Sequence, residues 1–249
     1  KPERRLLHRS GNQIPLGQRC IFTLFFINLT GFIMPSPIIE RLNRSIHNTP
    51  DKTALIFSDI KLSYKELGEK VDKISIALNN RGIRAGDHIG VALPNGIEFG
   101  LTMLAAAKIG AAIVPYNHTA PIKTLLKAFK RTNVKNYMLW HSIATELLTL
   151  GKKTEACEDL PSIEKVISVG NIIEGIANFN ALYSEAGDQI PTEHVLAEDQ
   201  AFILTMTSGS TGNPKPIVLS QDCKIARAEA AEKLYKITRS DITLTATPL

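Results

Sequence analysis

The sequence predicts an α/β fold with a largely parallel sheet that is covered by helices. Short apolar runs, typical of buried strands, alternate along the chain with longer segments whose apolar residues recur at helical spacing. This alternation predicts parallel strands, because a helix returns the chain to the edge at which the next strand starts. With 249 residues, of which 44% are apolar, the chain can bury a substantial core.

Apolar spacing and capping signals predict the helices. Ser63 followed by Glu66 is the pattern of a capping box, which starts a helix, and Gly82 ends that helix. Gly110 marks the end of another helix in the same way. In chain order, the predicted helices are Ile38–Asn48, Tyr64–Asn80, Asn95–Ile109, Ile122–Thr132 and Ser142–Leu150.

Short apolar runs bounded by turn residues predict the strands. The first two runs flank Ser58-Asp59, which is typical of a tight hairpin. The other runs are continuously apolar, as expected for parallel strands that are buried on both faces. The predicted strands are Thr53–Phe57, Ile60–Tyr64, His88–Leu93, Ala111–Pro115, Lys135–Trp140, Lys165–Gly170 and Gln200–Met206, and the polar stretches Gly151–Ser162 and Gly187–Asp199 are predicted loops.

The net charge of +5 does not indicate a nucleic-acid-binding protein. Residues 1–33 contain five basic residues and one acidic residue, a balance of +4, so 24 of the 29 basic and 23 of the 24 acidic residues remain for the rest of the chain. We therefore expect no nucleic-acid partner. Three scattered cysteines and six histidines without metal spacing predict no metal ligands and a reduced, cytoplasmic protein.

Residues 1–33 are predicted to be an atypical amino-terminal extension, followed by one partial domain over residues 34–249. A basic stretch precedes the apolar run Cys20–Ile33, a combination that targeting signals share. This run is shorter than the roughly 20 residues that a membrane-spanning helix needs, so we expect no stable span. The interpretation that we prefer is that Met34 is the natural start and that the preceding residues are read-through or vector-derived sequence, with a targeting signal as the alternative.

A polar segment, TSGSTGNPK (residues 207–215), separates the last predicted strand from the apolar PIVL (residues 216–219). Gly209 and Gly212 allow backbone N–H groups to approach a ligand closely, while hydroxyl groups and Lys215 add donors and a positive charge. Such a set suits a polyphosphate at the carboxyl end of a strand. The segment is not a Walker loop, since Gly212 and Lys215 are not adjacent. A solvated turn is the alternative interpretation.

The segment TSGSTGNPK resembles the phosphate loop of the adenylate-forming (AMP-binding) superfamily of acyl-CoA synthetases, luciferases and peptide-synthetase adenylation domains. Three further motifs resemble this family in the same order, and together they extend over the chain beyond the amino-terminal extension: LSYKEL (62–67), RGIRAGDHIGVALPNGIEF (81–99) and AAAKIGAAIVPYNHTAP (105–121). One departure is Pro216, where the family usually has glycine, and proline removes a backbone donor and restricts φ.

The resemblance implies a two-step reaction. A small-molecule carboxylic acid attacks the α-phosphorus of ATP, pyrophosphate leaves, and the acyl-adenylate then passes its acyl group to a thiol. The implied cofactors are ATP, Mg²⁺, and coenzyme A or the phosphopantetheine of an acyl carrier protein. The resemblance also implies that Lys215 assists catalysis through its charge and that the phosphates contact Thr207, Ser208, Gly209, Ser210, Thr211, Gly212 and Lys215.

The end of the chain, SDITLTATPL (residues 240–249), resembles the family segment that leads into the acyl pocket. The resemblance implies that the pocket, ribose, magnesium and catalytic-lysine motifs lie beyond Leu249. We therefore expect the amino-terminal part of the large domain of an adenylate-forming enzyme, inactive and poorly soluble without its carboxy-terminal half or a complementing chain. The alternative is a non-catalytic or degraded homologue that keeps the scaffold and weak nucleotide binding.

Overall fold

The computed structural model describes residues 36–153, 160–191, 196, 200–206 and 216–245. Within these ranges the chain forms a seven-stranded, mostly parallel sheet and a separate two-stranded hairpin. The predicted α/β class is therefore confirmed. The predicted amino-terminal extension, residues 1–33, lies outside the described residues and remains a prediction.

The helices and strands have the following bounds. The helices are α1 (Pro37–Asn48), α2 (Tyr64–Asn80), α3 (Ile97–Ile109), α4 (Ile122–Arg131), α5 (His141–Lys153), α6 (Leu182–Glu185) and α7 (Gln221–Tyr235), with two short 3₁₀ turns at Ile163–Lys165 and Phe179–Ala181. The strands are β1 (Thr53–Phe57), β2 (Ile60–Ser63), β3 (His88–Ala92), β4 (Ala112–Pro115), β5 (Asn136–Trp140), β6 (Val166–Val169), β7 (Ala177–Asn178), β8 (Ala201–Met206) and β9 (Pro216–Ser220).

The large sheet has the strand order β7-β6-β5-β3-β4-β8-β9. Every neighbouring pair in it is parallel except β8 and β9, which form an antiparallel hairpin. Strand β3 lies at the centre, where Gly90 is opposite Val114 of β4 and Tyr137 of β5. The parallel strands consequently all end at the same edge of the sheet, which we call the carboxyl edge.

The predicted capping box at the start of α2 is confirmed. The Ser63 hydroxyl accepts a hydrogen bond from the Glu66 N–H at 3.2 Å, and the Glu66 carboxylate accepts one from the Ser63 N–H at 2.8 Å. The Ser63 hydroxyl also donates to this carboxylate at 2.9 Å, and the bonds from the Ser63 backbone and hydroxyl stabilise its charged form, so the pKa of Glu66 is lowered. The capping box fixes where the chain turns from the hairpin of β1 and β2 into α2.

Two clusters of buried side chains cover opposite faces of the large sheet. One cluster joins residues of α1, α2 and α3 to the sheet, and the other joins residues of α4 and α5 to it. Successive strand residues enter different clusters, as Ile113 and Val114 of β4 do, because side chains alternate across a strand. The sheet is therefore buried on both faces, which explains why its strands are continuously apolar.

Three features differ from the prediction. Helix α5 continues through Gly151–Lys153, so the predicted loop Gly151–Ser162 starts inside a helix. The short elements β7 and α6 follow β6 without a strong local signal. The apolar PIVL forms an antiparallel edge strand, and of the predicted loop Gly187–Asp199 only residues 187–191 and 196 are described.

Apolar side chains are exposed where β9 and α7 lie. Ile217 and Val218 of β9 are 47% and 56% exposed, and Leu234 of α7 is 73% exposed. Among the described strands, none pairs with the outer edge of β9. This exposed apolar surface is typical of a region that another part of a protein covers. No helix in the described ranges is both long enough and apolar enough to cross a bilayer.

Candidate functional site

The carboxyl edge of the sheet contains two places where neighbouring strands send their connections in opposite directions. Strand β3 connects to β4 on one side, whereas its neighbour β5 connects to β6 on the other. Likewise, β4 connects back across β3 to β5, whereas its neighbour β8 connects outward to β9. Diverging connections leave a crevice at the ends of the two strands, and ligands of α/β proteins bind in such crevices.

The polar segment at residues 207–215 starts at the second crevice. Its flanking residues Met206 and Pro216 are opposite each other in the antiparallel pair of β8 and β9. The two residues that flank the segment therefore lie side by side at the carboxyl edge. The predicted phosphate contacts Thr207, Ser208, Gly209, Ser210, Thr211, Gly212 and Lys215 all lie outside the described residues, so these contacts remain a prediction.

The departure at Pro216 fits its place in the fold. Pro216 is the first residue of β9, which is the last strand of the sheet. Proline is tolerated at the first residue of an edge strand, because its missing N–H interrupts no central ladder. Pro216, which replaces the usual glycine, therefore follows the segment directly and begins strand β9.

Two glutamines hold the base of the hairpin formed by β8 and β9. Gln200, which precedes β8, donates an amide N–H to the carbonyl of Gly110 at the end of α3. Gln221, which follows β9, donates to the carbonyl of Ala107 in the same helix at 3.2 Å. Each carbonyl also accepts a backbone N–H, from Gly86 on Gly110 at 2.9 Å and from Gly110 on Ala107 at 3.4 Å, so each glutamine amide adds a second hydrogen bond at the end of α3. We call Gln200 and Gln221 the glutamine pair.

Gln221 also joins the hairpin to the first helix. Its side-chain carbonyl accepts hydrogen bonds from the Ser36 hydroxyl at 2.6 Å and from the Ile38 N–H at 3.2 Å. The residue is only 6% exposed, so these bonds lie inside the protein. No local sequence pattern marks the glutamine pair, because the partners of these side chains lie 90 or more positions away along the chain.

The connection that follows β4 lies beside the start of the polar segment. Strand β4 is next to β8, with Ile113 opposite Ile203. Beyond β4, the Tyr116 hydroxyl contacts the Thr132 hydroxyl, and burial raises the pKa of Tyr116, so the phenol stays neutral. The Asn117 side chain accepts hydrogen bonds from the N–H and the hydroxyl of Thr119 at 3.0 and 2.8 Å, which closes a tight turn.

The histidine and cysteine side chains considered as candidate reactive groups lie as follows. A ring nitrogen of His88 lies 3.3 Å from the carbonyl oxygen of Thr132. Cys223 is exposed at the start of α7, while Cys20 and Cys157 lie outside the described residues. Among the described residues, no group of three or more His, Cys, Asp or Glu side chains is arranged to hold a metal ion.

The fold and the position of the polar segment define a class of protein that binds a ligand at the carboxyl edge of a mostly parallel α/β sheet. The chain matches the family model for the AMP-binding enzyme over residues 42–249, and it therefore belongs to the AMP-binding enzyme family. The resemblance stated from the sequence motifs is thus confirmed.

Individual relatives agree with this assignment. The chain is 34% identical over 194 residues to an acetyl-coenzyme A synthetase of Rubrobacter xylanophilus, a match that covers 68% of this chain and 28% of that enzyme. It is 27% identical over 223 residues to enterobactin synthase component F of Escherichia coli, covering 89% of this chain and 16% of the relative. The chain thus spans less than a third of the length of these curated relatives.

A solved structure shows the same fold. The crystal structure of a long-chain-fatty-acid-CoA ligase from Archaeoglobus fulgidus superposes with a TM-score of 0.68 at 20% identity. The superposition covers 81% of this chain and 40% of that one. At this level of identity the likeness concerns the fold alone.

Proposed function

We propose that this chain supplies the phosphate-binding part of an enzyme that activates a carboxylic acid with ATP. The observation that carries the proposal is the pairing of Met206 with Pro216, which flank the segment TSGSTGNPK, beside a crevice on the carboxyl edge of the sheet in a chain of the AMP-binding enzyme family. A run of glycines and hydroxyl residues at such a crevice is suited to the triphosphate of ATP.

In the proposed reaction, the carboxylate oxygen of the acid attacks the α-phosphorus of ATP and the bond to the β-phosphate breaks. Pyrophosphate takes the bonding electrons, and the acyl-adenylate remains. Thr207 to Gly212 hold the departing phosphates with backbone N–H groups and hydroxyls, while Lys215 neutralises charge that develops on them. A thiol then displaces AMP from the acyl group, which gives a thioester. The proposed location of this reaction is the cytoplasm.

The described residues do not offer a site for the predicted Mg²⁺. No cluster of His, Cys, Asp or Glu among them could hold a metal ion, and Mg²⁺ prefers carboxylate oxygen ligands. Ligands for Mg²⁺ are proposed to lie in a carboxy-terminal part of the protein, together with the acyl pocket.

Binding of ATP to a polypeptide that contains this chain and the rest of the domain tests the role of the polar segment directly. We expect Gly209→Val and Gly212→Val to weaken ATP affinity at least about tenfold, because a branched side chain keeps the backbone away from the phosphates. Gly151→Val is the matched control, since a Cβ at Gly151 meets no atom within 4 Å and the residue lies in α5. Isothermal titration calorimetry measures all three. Equal affinity in the wild type and both loop variants would contradict the proposal.

The proposed reaction is tested on a polypeptide that contains the rest of the domain. We expect pyrophosphate exchange that depends on one class of carboxylic acid, found by screening fatty, aromatic and amino acids. ATP binding without exchange for any acid would instead favour the non-catalytic homologue. We expect no exchange from residues 1–249 alone.

A further inference from the structure

Helix α4 carries a row of positive charges on its solvent face. Ile122, Leu125 and Phe129 are buried against the sheet, with 8%, 2% and 2% exposure. On the opposite side, Lys123, Lys127 and Arg131 are exposed and follow one another at intervals of four residues. Residues at this spacing lie above one another on a helix, so their side chains form one row about 12 Å long. We call these three residues the basic stripe.

The basic stripe is not neutralised by its surroundings. Lys123, Lys127 and Arg131 take part in none of the hydrogen bonds or ion pairs that the described residues form. Residues 121–135 contain five basic residues and no acidic residue. Like charges four positions apart destabilise a helix. The stripe is therefore unfavourable for the isolated helix, and an anionic partner would remove this repulsion.

The stripe begins near the candidate site. Helix α4 follows the carboxyl end of β4, which is the neighbour of β8 and borders the crevice where the polar segment starts. Lys123 is in the first turn of α4, so the stripe starts at the carboxyl edge and extends away from it along the face of the sheet. A molecule bound along the stripe can thus place one end beside the candidate site.

The surface around the stripe selects among possible partners. No large apolar side chain of α4 or α5 is exposed among the described residues, unlike β9 and α7, where Ile217 and Leu234 are exposed, so the surface around the stripe is not suited to an apolar partner. A membrane surface is disfavoured for the same reason, because peripheral helices insert apolar side chains. The near-neutral balance of the chain outside residues 1–33 disfavours nucleic acid. An exposed row on a convex helix matches the acidic face of another protein.

We propose that the basic stripe is the docking surface for an acidic carrier protein that brings the acceptor thiol. The inference rests on the proposed function and names the acceptor that the proposed function leaves open, a protein-bound thiol instead of free coenzyme A. The docked carrier places its flexible thiol arm at the carboxyl edge, where the thiol displaces AMP from the acyl-adenylate. The thiol proton leaves with solvent, and AMP departs with the electrons of the broken acyl–phosphate bond.

The test compares charge-reversed, charge-conserved and distant variants of the full-length protein. The first is Lys123→Glu, Lys127→Glu and Arg131→Glu combined. The second keeps the charges as Lys123→Arg, Lys127→Arg and Arg131→Lys. The third reverses three exposed lysines on other elements that make no ion pair among the described residues, namely Lys61, Lys73 and Lys165. The acceptors are phosphopantetheinylated acyl carrier proteins of net negative charge and, separately, coenzyme A.

We expect the charge-reversed variant to keep wild-type pyrophosphate exchange and wild-type kcat, while its KM for the carrier protein rises about tenfold or more. The charge-conserved and distant variants should load the carrier normally, and high salt should weaken loading only where the stripe is intact. Unchanged loading by the charge-reversed variant would overturn the inference, and so would transfer to coenzyme A alone.

Two further results are informative. Binding of duplex DNA or of phosphatidylserine vesicles that depends on the stripe, with loading unaffected, would overturn the inference in favour of another anionic partner. Absence of pyrophosphate exchange in the wild type would refute the proposed function instead. Direct binding of the acidic carriers, measured by biolayer interferometry, then tests the role of the basic stripe by itself. Binding that charge reversal abolishes supports the docking role. Binding that charge reversal leaves unchanged refutes it.

Discussion

Replacement of Gln221 by alanine tests whether buried hydrogen bonds hold the hairpin of β8 and β9 to the helices. The side chain makes three hydrogen bonds, with the Ser36 hydroxyl, the Ile38 N–H and the Ala107 carbonyl, at 2.6, 3.2 and 3.2 Å. Each contributes about 1 kcal/mol net. Because the residue is 6% exposed, water reaches the abandoned partners poorly. We therefore expect Gln221→Ala to lower the free energy of unfolding by about 3 kcal/mol.

Urea unfolding followed by far-ultraviolet circular dichroism measures this loss, with a common m-value for both proteins. Gln189→Ala is the matched control, since Gln189 is exposed and no side-chain hydrogen bond of it occurs among the described residues. The control should change the free energy of unfolding by no more than about 0.5 kcal/mol. A loss below about 1 kcal/mol for Gln221→Ala would refute the argument, because it would mean that the three bonds are replaced by water without cost.

Four further substitutions test local features of the fold. Gly170→Ala should lower the free energy of unfolding by about 1–2 kcal/mol, because φ is +96° and the new Cβ would lie 2.6 Å from the His141 ring. Gly151→Ala in the exposed part of α5 should instead stabilise the protein by about 0.5–1 kcal/mol. Thermal melts show whether the two effects have opposite signs. Ser63→Ala should cost about 1 kcal/mol in the same assay through loss of the capping box. Burial, followed by the nearby Glu98 carboxylate, raises the pKa of Tyr183 to about 12. The stabilising effect of the neutral phenol is therefore complete below about pH 10 and is lost as the pH rises towards 12. Tyr183→Phe should remove this late step from the tyrosinate absorbance titration.

Local patterns were sufficient to predict most elements of the fold. Strand β6 is buried at every position, and its sequence VISV lacks the alternation of polar and apolar residues that marks the helices. The capping box of Ser63 and Glu66 places the start of α2 at the predicted residue. Such features depend on neighbours within a few positions. A single sequence carries this kind of information in full.

The order of the strands and the glutamine pair depend on contacts between distant parts of the chain. Gln221 and Ser36 are 185 positions apart, and Gln221 and Ala107 are 114 apart. No periodicity links such residues. The antiparallel direction of β9 was also missed, since the apolar run PIVL has the same appearance in either direction. The basic stripe was overlooked for a different reason, because acidic residues elsewhere cancel its charge in the total.

The hairpin of β8 and β9 shows how the two kinds of information combine at the candidate site. The chemistry of the segment between its strands follows from nine consecutive residues and needs no tertiary structure. Its position follows from elements far away in the chain, namely the pairing of β8 with β4 and the bonds of the glutamine pair to α3. Those bonds lie at the base of the hairpin, about 17–20 Å along the strands from Met206 and Pro216 at 3.3 Å per strand residue. Substitution of either glutamine should therefore lower the stability of the hairpin without removing any group that is proposed to contact ATP. Nucleotide affinity is measured well below the melting temperature of each variant. This measurement separates the effect of the segment's position from the effect of its chemistry.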